Sequence, residues 1–181
     1  MSEKAHVVSS RRIYDGKVLA LDVDEVEEPG GMHATREIVR HRGSVACLAV
    51  HDDGRVVLIR QYRHAASDFV FEIPAGRLDP GETPEAGAAR ELEEEVGLRP
   101  ARMEKLLDFH TTPGFCDEVL HLFRASGLTA VPPRPEADER IEIQMPTLAE
   151  ARAMIARSQV RDAKTLLALL LESERQREAA R

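Results

Sequence analysis

Residues 76–98 read GRLDPGETPEAGAARELEEEVGL and decide the fold, because they join a loop rich in Gly and Pro to a glutamate-rich segment. Thr83 suits the N-cap of a helix and Pro84 suits its first position. Gly97 stands where the end of a helix favours a left-handed residue. The stretch therefore predicts a loop followed by a helix from about Thr83 to Gly97.

Three glutamates of the predicted helix share one face. If each residue turns by about 100° and Glu91 is set at 0°, Glu94 falls at about −60° and Glu95 at about +40°. Glu93 falls at about 200°, on another side. Carboxylates at this spacing repel one another, and a divalent cation such as Mg²⁺ or Mn²⁺ would reverse that interaction. A solvated acidic face is the alternative interpretation.

Gly87 lies one turn before Glu91 on the same face. A glycine inside a helix costs up to about 1 kcal/mol relative to alanine, so its presence asks for a reason. Because glutamate side chains lean toward the start of their helix, we expect Gly87 to leave room there for a metal ion and phosphate oxygens.

Strand patterns fill most of the chain outside this helix and predict an α+β protein with a mixed sheet and few helices. Ser44–Val50 is a nearly continuous apolar run, typical of a buried strand. Asp52-Asp53-Gly54 predicts a hairpin turn that leads into a return strand, Arg55–Tyr62. A final helix carries a charged tail, Glu172–Arg181, that is expected to fray.

The 181 residues have a hydrophobic content of 43% and a formal net charge of −7. They suffice for one real core, and the negative charge argues against non-specific binding to nucleic acid. Cys47 and Cys116 lie within or beside apolar stretches and are expected to be buried structural thiols. The N-terminus lacks a continuous apolar core, and the longest apolar run, Leu166–Leu171, is too short to span a membrane. We therefore expect a cytoplasmic protein with neither nucleic-acid nor membrane partners.

The opening stretch resembles the complete Nudix box. It reads Gly76, five residues, Glu82, seven residues, Arg90-Glu91-Leu92, one residue, Glu94-Glu95, one residue, Gly97-Leu98. The resemblance implies the Nudix fold, a mixed β-sheet core sandwiched between helices and preceded by an N-terminal antiparallel β subdomain. We expect the subdomain over residues 1–43 and the Nudix hydrolase domain over residues 44–181.

The same resemblance implies a role for each residue of the box. Metal ligands are expected to be the backbone carbonyl of Ala75 and the carboxylates of Glu91, Glu94 and Glu95. Structural positions are expected to be Gly76, Glu82, Arg90 and Gly97, with Glu82 and Arg90 forming a pair that braces the loop against the helix.

Pro113 lies 16 residues after Gly97 within the sequence TTPGFCDE, and this context resembles the ADP-ribose pyrophosphatase branch of the family. The segments RQYR at 60–63, EIPAG at 72–76 and RDAKT at 161–165 are similar to that branch too. The resemblance implies Mg²⁺-dependent hydrolysis of ADP-ribose to AMP and ribose 5-phosphate, with Mn²⁺ as a substitute metal. Two alternatives are a hydrolase of another nucleotide sugar, of the GDP-mannose or UDP-glucose type, and a ligand sensor without catalysis.

The resemblance to the ADP-ribose pyrophosphatase branch indicates the general base and the substrate contacts less directly than the metal ligands. Glu139, then Glu136 on the same acidic loop, then Glu94 on the helix are the candidates for the base. Candidate substrate contacts are Arg36, Arg60, Arg63, Pro113, Gly114 and Phe115, with Tyr14, Phe115 or the plane of Arg36 available to stack on a nucleobase. The N-terminal strands are compatible with a homodimer in which they cross to the second subunit.

Overall fold

A computed structural model of the chain describes residues 4–135, 140–179 and 181. The chain forms two compact units. One holds the residues up to Gly43 together with Phe109–Leu120, and the other holds Ser44–Asp108 together with the chain from His121 onward. The division into domains at residues 43 and 44 stays a prediction, since the first unit also takes a segment from the middle of the chain.

The first unit contains an antiparallel sheet of three strands in the order β1 (His6–Asp15), β2 (Ala20–Glu28) and β3 (Met32–Arg40). Its central strand carries two buried carboxylates, Asp22 and Asp24. Arg40 donates to Asp22 at 3.0 Å and to Asp24 at 2.5 Å, and Arg12 also donates to Asp22. These ion pairs let a polar central strand be buried, because buried charges require partners.

The second unit is built on two sheets. In the four-stranded sheet the order is β7 (Ala75–Arg77), β4 (Ser44–Ala49), β9 (Val119–Ala130) and β8 (Leu98–His110). In the three-stranded sheet the order is β10 (Glu142–Gln144), β5 (Leu58–Arg63) and β6 (Asp68–Glu72).

The hairpin predicted at Asp52-Asp53-Gly54 is only partly right. The turn forms, and Val50 and Val56 make one antiparallel bridge. Beyond that bridge, β5 leaves β4 and joins β6 and β10 in the other sheet. Val56, Val57, Leu58 and Ile59 are all completely buried. A segment buried on both faces can pass between layers, and the local turn signal carries no information about this.

Three helices complete the second unit: α1 (Pro84–Val96), α2 (Leu148–Ala156) and α3 (Ala163–Ala179). The predicted ends of α1 are confirmed, since Thr83 Oγ1 accepts from the Ala86 amide at 3.3 Å and Gly97 is left-handed with φ 70°. Thr147 begins α2 with a capping box.

The tail of the last helix is helical, since α3 continues to Ala179, and its fraying stays a prediction. Glu172 on this tail is buried and accepts from Arg124 at 2.8 Å. Arg175, one turn further, donates to Glu104 at 2.7 Å. These two ion pairs tie the polar tail to the strands, and the sequence gives no sign of either partner.

The core lies between α1 and the four-stranded sheet. Its buried members include Val45, Cys47 and Ala49 on β4, Ala88, Leu92 and Val96 on α1, and Phe123 and Ala125 on β9. Burial raises the pKa of the Cys47 thiol to about 12, which makes that thiol inert. Cys116 is only partly buried, so the expectation of two buried cysteines holds for Cys47 alone. In the described part of the chain, none of the helices is long and apolar enough to cross a membrane.

Candidate active site

The packing of α1 sets the direction of its glutamates. Because Leu92 and Val96 enter the core, the face that carries Glu91, Glu94 and Glu95 lies toward the loop that precedes the helix. Glu95 is buried and its Oε2 accepts from the backbone amide of Ala75 at 3.1 Å. This hydrogen bond joins the glutamate face to the segment whose carbonyl is the predicted fourth ligand.

Glu93 is set apart from these three glutamates. Its carboxylate accepts from Nε and Nη2 of Arg99 at 2.8 and 2.9 Å. The Arg99 guanidinium lowers the pKa of Glu93 accordingly. Glu93 thus takes part in an exposed ion pair on another side of α1, as the helical wheel places it.

Arg90 connects the loop to the helix. It holds Glu82 through two hydrogen bonds, Nε to Oε1 at 2.9 Å and Nη2 to Oε2 at 3.0 Å, and donates to the carbonyl of Arg77 at 3.1 Å. Glu82 also accepts from the amide of Asp79 at 3.1 Å. Both ends of the loop are therefore held against α1 by one arginine–glutamate pair, the geometry that a brace requires.

The same guanidinium reaches two of the predicted metal ligands. Nη1 of Arg90 lies 2.8 Å from Oε1 of Glu91 and 3.0 Å from Oε2 of Glu94. Its hydrogen bonds to Glu82, and then its interactions with Glu91 and Glu94, raise the pKa of Arg90 further. The arginine offsets the repulsion that like charges at helical spacing would otherwise produce. Within residues 4–135, 140–179 and 181, the structure has no group of three or more His, Cys, Asp or Glu side chains already gathered around one point.

The chemistry of these groups nevertheless fits a magnesium ion. The face offers only hard oxygen donors, which Mg²⁺ prefers. Gly76 adds a second sign of fit, because a Cβ at this position would lie 2.0 Å from Oε1 of Glu91. The glycine thus leaves a cradle for the Glu91 carboxylate. A cation bound here would compete with the Arg90 guanidinium, which contacts one oxygen of Glu91 and one oxygen of Glu94.

Gly87 serves a different purpose from the one expected. A Cβ there would lie 2.9 Å from Oε2 of Glu82 and 3.1 Å from Cδ2 of Leu78. The space beside Gly87 is occupied by the bracing carboxylate and the loop, so the expectation of room for metal and phosphate at this position is wrong. The sequence showed that a side chain is excluded here but could not show which group fills the space.

The two arginines of the RQYR segment point to opposite faces of β5, as an odd separation along a strand requires. Arg63 binds Glu72 on β6 through Nε at 2.7 Å and Nη2 at 2.9 Å. Arg60 donates to Glu142 at 3.0 Å and lies over the ring of Phe69, 4.2 Å from its centroid. Of the two, Arg63 lies on the side of the glutamate face, since Glu95 contributes, after Glu72, to raising its pKa.

The remaining candidates fall into two groups. Arg36, Pro113, Gly114 and Phe115 belong to the first unit, where Arg36 donates to Glu28 at 2.7 Å and Phe115 is exposed. Glu136 and Glu139, the first choices for the general base, lie outside the described residues.

Sequence reasoning missed Lys164, whose ammonium contacts Glu72. The RDAKT segment was its only signal.

Comparison with known proteins places the chain in a class. Residues 40–169 match the family model described as the NUDIX domain. The match covers more than half of the chain, and the chain belongs to the Nudix family of hydrolases. This confirms the family that the box predicts.

Individual relatives narrow the comparison. The ADP-ribose pyrophosphatase of Bacillus subtilis (strain 168) is 42% identical over 164 residues, which cover 90% of this chain and 89% of that protein. The methanol dehydrogenase activator of Bacillus methanolicus is 41% identical over 164 residues, with the same two shares. A crystal structure described as an ADP compounds hydrolase superposes with a TM-score of 0.86 over 98% of this chain and 96% of its own, at 21% identity. That structure confirms the predicted α+β Nudix fold, and the first relative confirms the resemblance to the ADP-ribose pyrophosphatase branch.

Proposed function

We propose that this chain hydrolyses the diphosphate of ADP-ribose to AMP and ribose 5-phosphate in a Mg²⁺-dependent reaction, with Mn²⁺ as a substitute. The observation that carries the proposal is the glutamate face of α1, where Glu95 is buried and held by the Ala75 amide. The choice of ADP-ribose is supported by the TTPGFCDE sequence around Pro113 and by the 42% identical relative.

Four groups of the chain would hold the metal: the carboxylates of Glu91, Glu94 and Glu95 and the carbonyl of Ala75. A bound Mg²⁺ would neutralise the charge of the diphosphate and activate a water for attack on phosphorus. Arg90 keeps the loop against the helix through Glu82.

Arg63 is the proposed clamp for the diphosphate. Its Nε and Nη2 are bound to Glu72, and its side chain is 43% exposed. Among the residues that the structure describes, Nη1 has no hydrogen-bond acceptor. The free edge of the guanidinium can therefore donate to a phosphate oxygen while the other edge stays fixed.

The proton of the attacking water is assigned to a carboxylate base. We keep the order Glu139, Glu136 and Glu94 for this role. Of the three, Glu94 has a side chain that is 34% exposed, and among the described residues its carboxylate accepts only from Arg90. The substrate contacts proposed for Arg36, Arg60, Pro113, Gly114 and Phe115 complete the assignment.

A cytoplasmic homodimer is part of the same proposal. Every residue of β1 is exposed in the single chain, including Val7, Val8 and Ile13. A long exposed edge strand with apolar side chains is a typical surface for pairing with a second copy. The two cysteines are free thiols, which suits a reducing compartment. Light scattering of the purified chain should give twice the mass of one chain, and the mass of a monomer would contradict the dimer.

A substrate panel tests the reaction. ADP-ribose, GDP-mannose, UDP-glucose and a dinucleotide are each incubated with Mg²⁺ or Mn²⁺, and the products are identified by mass. We expect AMP and ribose 5-phosphate from ADP-ribose with the highest kcat/KM. A clear preference for GDP-mannose or UDP-glucose would overturn the choice of substrate.

A second test separates hydrolysis from ligand sensing. Glu94→Gln and Glu95→Gln each remove one carboxylate charge from the proposed metal site, whereas Glu93→Gln removes a charge from the other side of the helix and serves as the control. We expect a large loss of kcat for the first two variants and an unchanged kcat for the control. Turnover that persists in both would contradict a metal site on this face.

A further inference from the structure

The RDAKT segment, residues 161–165, leads into the first turn of α3 and contacts Glu72 and Ile73, the two residues that precede the proposed metal loop. Asp162 caps the helix, since its Oδ2 accepts from the amide of Thr165 at 3.0 Å and from its hydroxyl at 2.6 Å. The Thr165 hydroxyl in turn accepts from the amide of Ile73 at 2.8 Å, and Thr165 is completely buried. This turn is therefore fixed to the chain one residue before Pro74.

Lys164 extends from the same turn to the carboxylate that holds Arg63. Its ammonium contacts Oε2 of Glu72 and lies 3.0 Å from Oδ1 of Asp162. The Lys164 side chain is 12% exposed and that of Glu72 is 3% exposed, so their interaction is weakly screened by water. Glu72 thus accepts hydrogen bonds from two cationic side chains at once, those of Lys164 and Arg63.

Among the four side chains joined by hydrogen bonds, the charges balance only when Lys164 is present. Arg63 and Lys164 carry two positive charges, and Glu72 and Asp162 carry two negative charges. Without Lys164 the cluster would hold one excess negative charge beside the guanidinium proposed to bind a diphosphate. Arg63 would then be the cation hydrogen-bonded to Glu72, and the full negative charge of Glu72 would act on that guanidinium.

We propose that Lys164 is a positioning residue for the diphosphate clamp, which shares Glu72 with Arg63 and so leaves the guanidinium able to bind a phosphate oxygen. This inference rests on the proposed function, because it takes Arg63 as the clamp. It assigns to the RDAKT segment a role that the metal site and the box do not supply. Lys164 acts through Glu72 and does not itself touch the substrate.

Lys164→Met tests the proposal, with Lys164→Arg as the conservative variant and Lys105→Met as the matched control. Lys105 forms an exposed ion pair with Asp108 at 2.8 Å. Lys105→Met therefore also removes a lysine–carboxylate ion pair, but one that lies outside this cluster. For Lys164→Met we expect KM for ADP-ribose to rise roughly tenfold while kcat changes less than about threefold, because the loss acts on an anion's binding. Lys164→Arg should recover most of the affinity, and Lys105→Met should match the parent.

A binding measurement without metal separates this inference from the proposed reaction. The Kd of ADP, the diphosphate probe, is measured by calorimetry in EDTA for the parent and each variant, with thermal unfolding recorded in parallel. Weaker ADP binding by Lys164→Met, recovered in Lys164→Arg, supports the positioning role whatever substrate the enzyme turns over. A lower Tm with unchanged Kd and KM would make the contact purely structural and would overturn the inference.

The double variant Glu72→Gln with Lys164→Met provides the second check. If Lys164 acts through Glu72, the effect of Lys164→Met on Kd should largely disappear once Glu72 has lost its charge. An equal effect in both backgrounds would show that Lys164 does not act through Glu72, and would overturn the proposal.

Discussion

Gly76→Ala should separate activity from stability. The added Cβ would lie 2.0 Å from Oε1, 2.1 Å from Cδ and 2.5 Å from Oε2 of Glu91. These atoms are the flexible end of a side chain, so the carboxylate can rotate away while the backbone stays in place. Gly76 also pairs with Val45 in the sheet, where an alanine is readily accommodated.

The magnitude follows from the distance. An ordinary contact to Cβ is longer than 3.4 Å, so the Glu91 carboxylate must shift by more than about 1 Å. A misplacement of about 1 Å at a reacting centre can lower the rate about a hundredfold. The rotamer change itself costs roughly 1 kcal/mol of stability. We therefore expect kcat/KM to fall about a hundredfold while the free energy of unfolding falls by only about 1 kcal/mol.

The assay pairs ADP-ribose turnover at increasing Mg²⁺ with unfolding in urea. Gly54→Ala is the control, since Gly54 has φ +82° with nothing within 4 Å of an added Cβ, and it lies in the turn after β4. That variant should lose a similar amount of stability and keep its activity. If Gly76→Ala retained full turnover and metal affinity, the assignment of a cradle for Glu91 would be refuted.

Three further predictions concern the groups around this cradle. Arg90→Met should lower Tm in EDTA, and Mg²⁺ should restore the part that comes from Glu91 and Glu94, because the ion would offset their repulsion but not the lost hydrogen bonds to Glu82; equal losses with and without Mg²⁺ would contradict this. Burial raises the pKa of Glu72, but the interactions with Arg63 and Lys164 outweigh burial, and the pKa is lowered below 4.5. The stability that this carboxylate contributes is therefore present above about pH 4.5 and is lost as the pH falls through its folded pKa. Urea unfolding of Glu72→Gln should accordingly show a flatter decline below pH 4.5, and a decline as steep as the parent's would refute the linkage. Gly97→Ala combines φ +70° with a Cβ 2.5 Å from a backbone carbonyl, and it should cost about 2 kcal/mol or more of stability with the Kd for Mn²⁺ unchanged.

Local signals explain what could be predicted from the sequence. The ends of α1 follow from Thr83 and Gly97, which act on their own neighbours. The common face of Glu91, Glu94 and Glu95 follows from helical geometry alone. Both kinds of inference need only residues close together in the chain.

Contacts between distant residues explain what could not be predicted. Lys164 and Glu72 are 92 residues apart, and no periodicity connects them. The two strands flanking the turn at residues 52–54 separate into different sheets, which depends on the partners that each finds elsewhere. The excluded side chain at Gly87 was visible in the sequence, whereas the identity of its neighbour, Glu82, required the fold.

One physical theme joins the metal face and the diphosphate clamp. Three charged groups proposed to bind a ligand are already paired: Glu91 and Glu94 with Arg90, and Arg63 with Glu72. A ligand that binds must compete with a charge already in place, so a divalent cation or a diphosphate has an advantage over an ion of single charge. The two sites also differ in kind. At the metal face a bound ion would compete with Arg90 for the carboxylates of Glu91 and Glu94, whereas Arg63 can keep Glu72 on one edge and bind phosphate on the other. The first arrangement makes metal binding a competition between cations, and the second makes substrate binding an addition to a preformed ion pair.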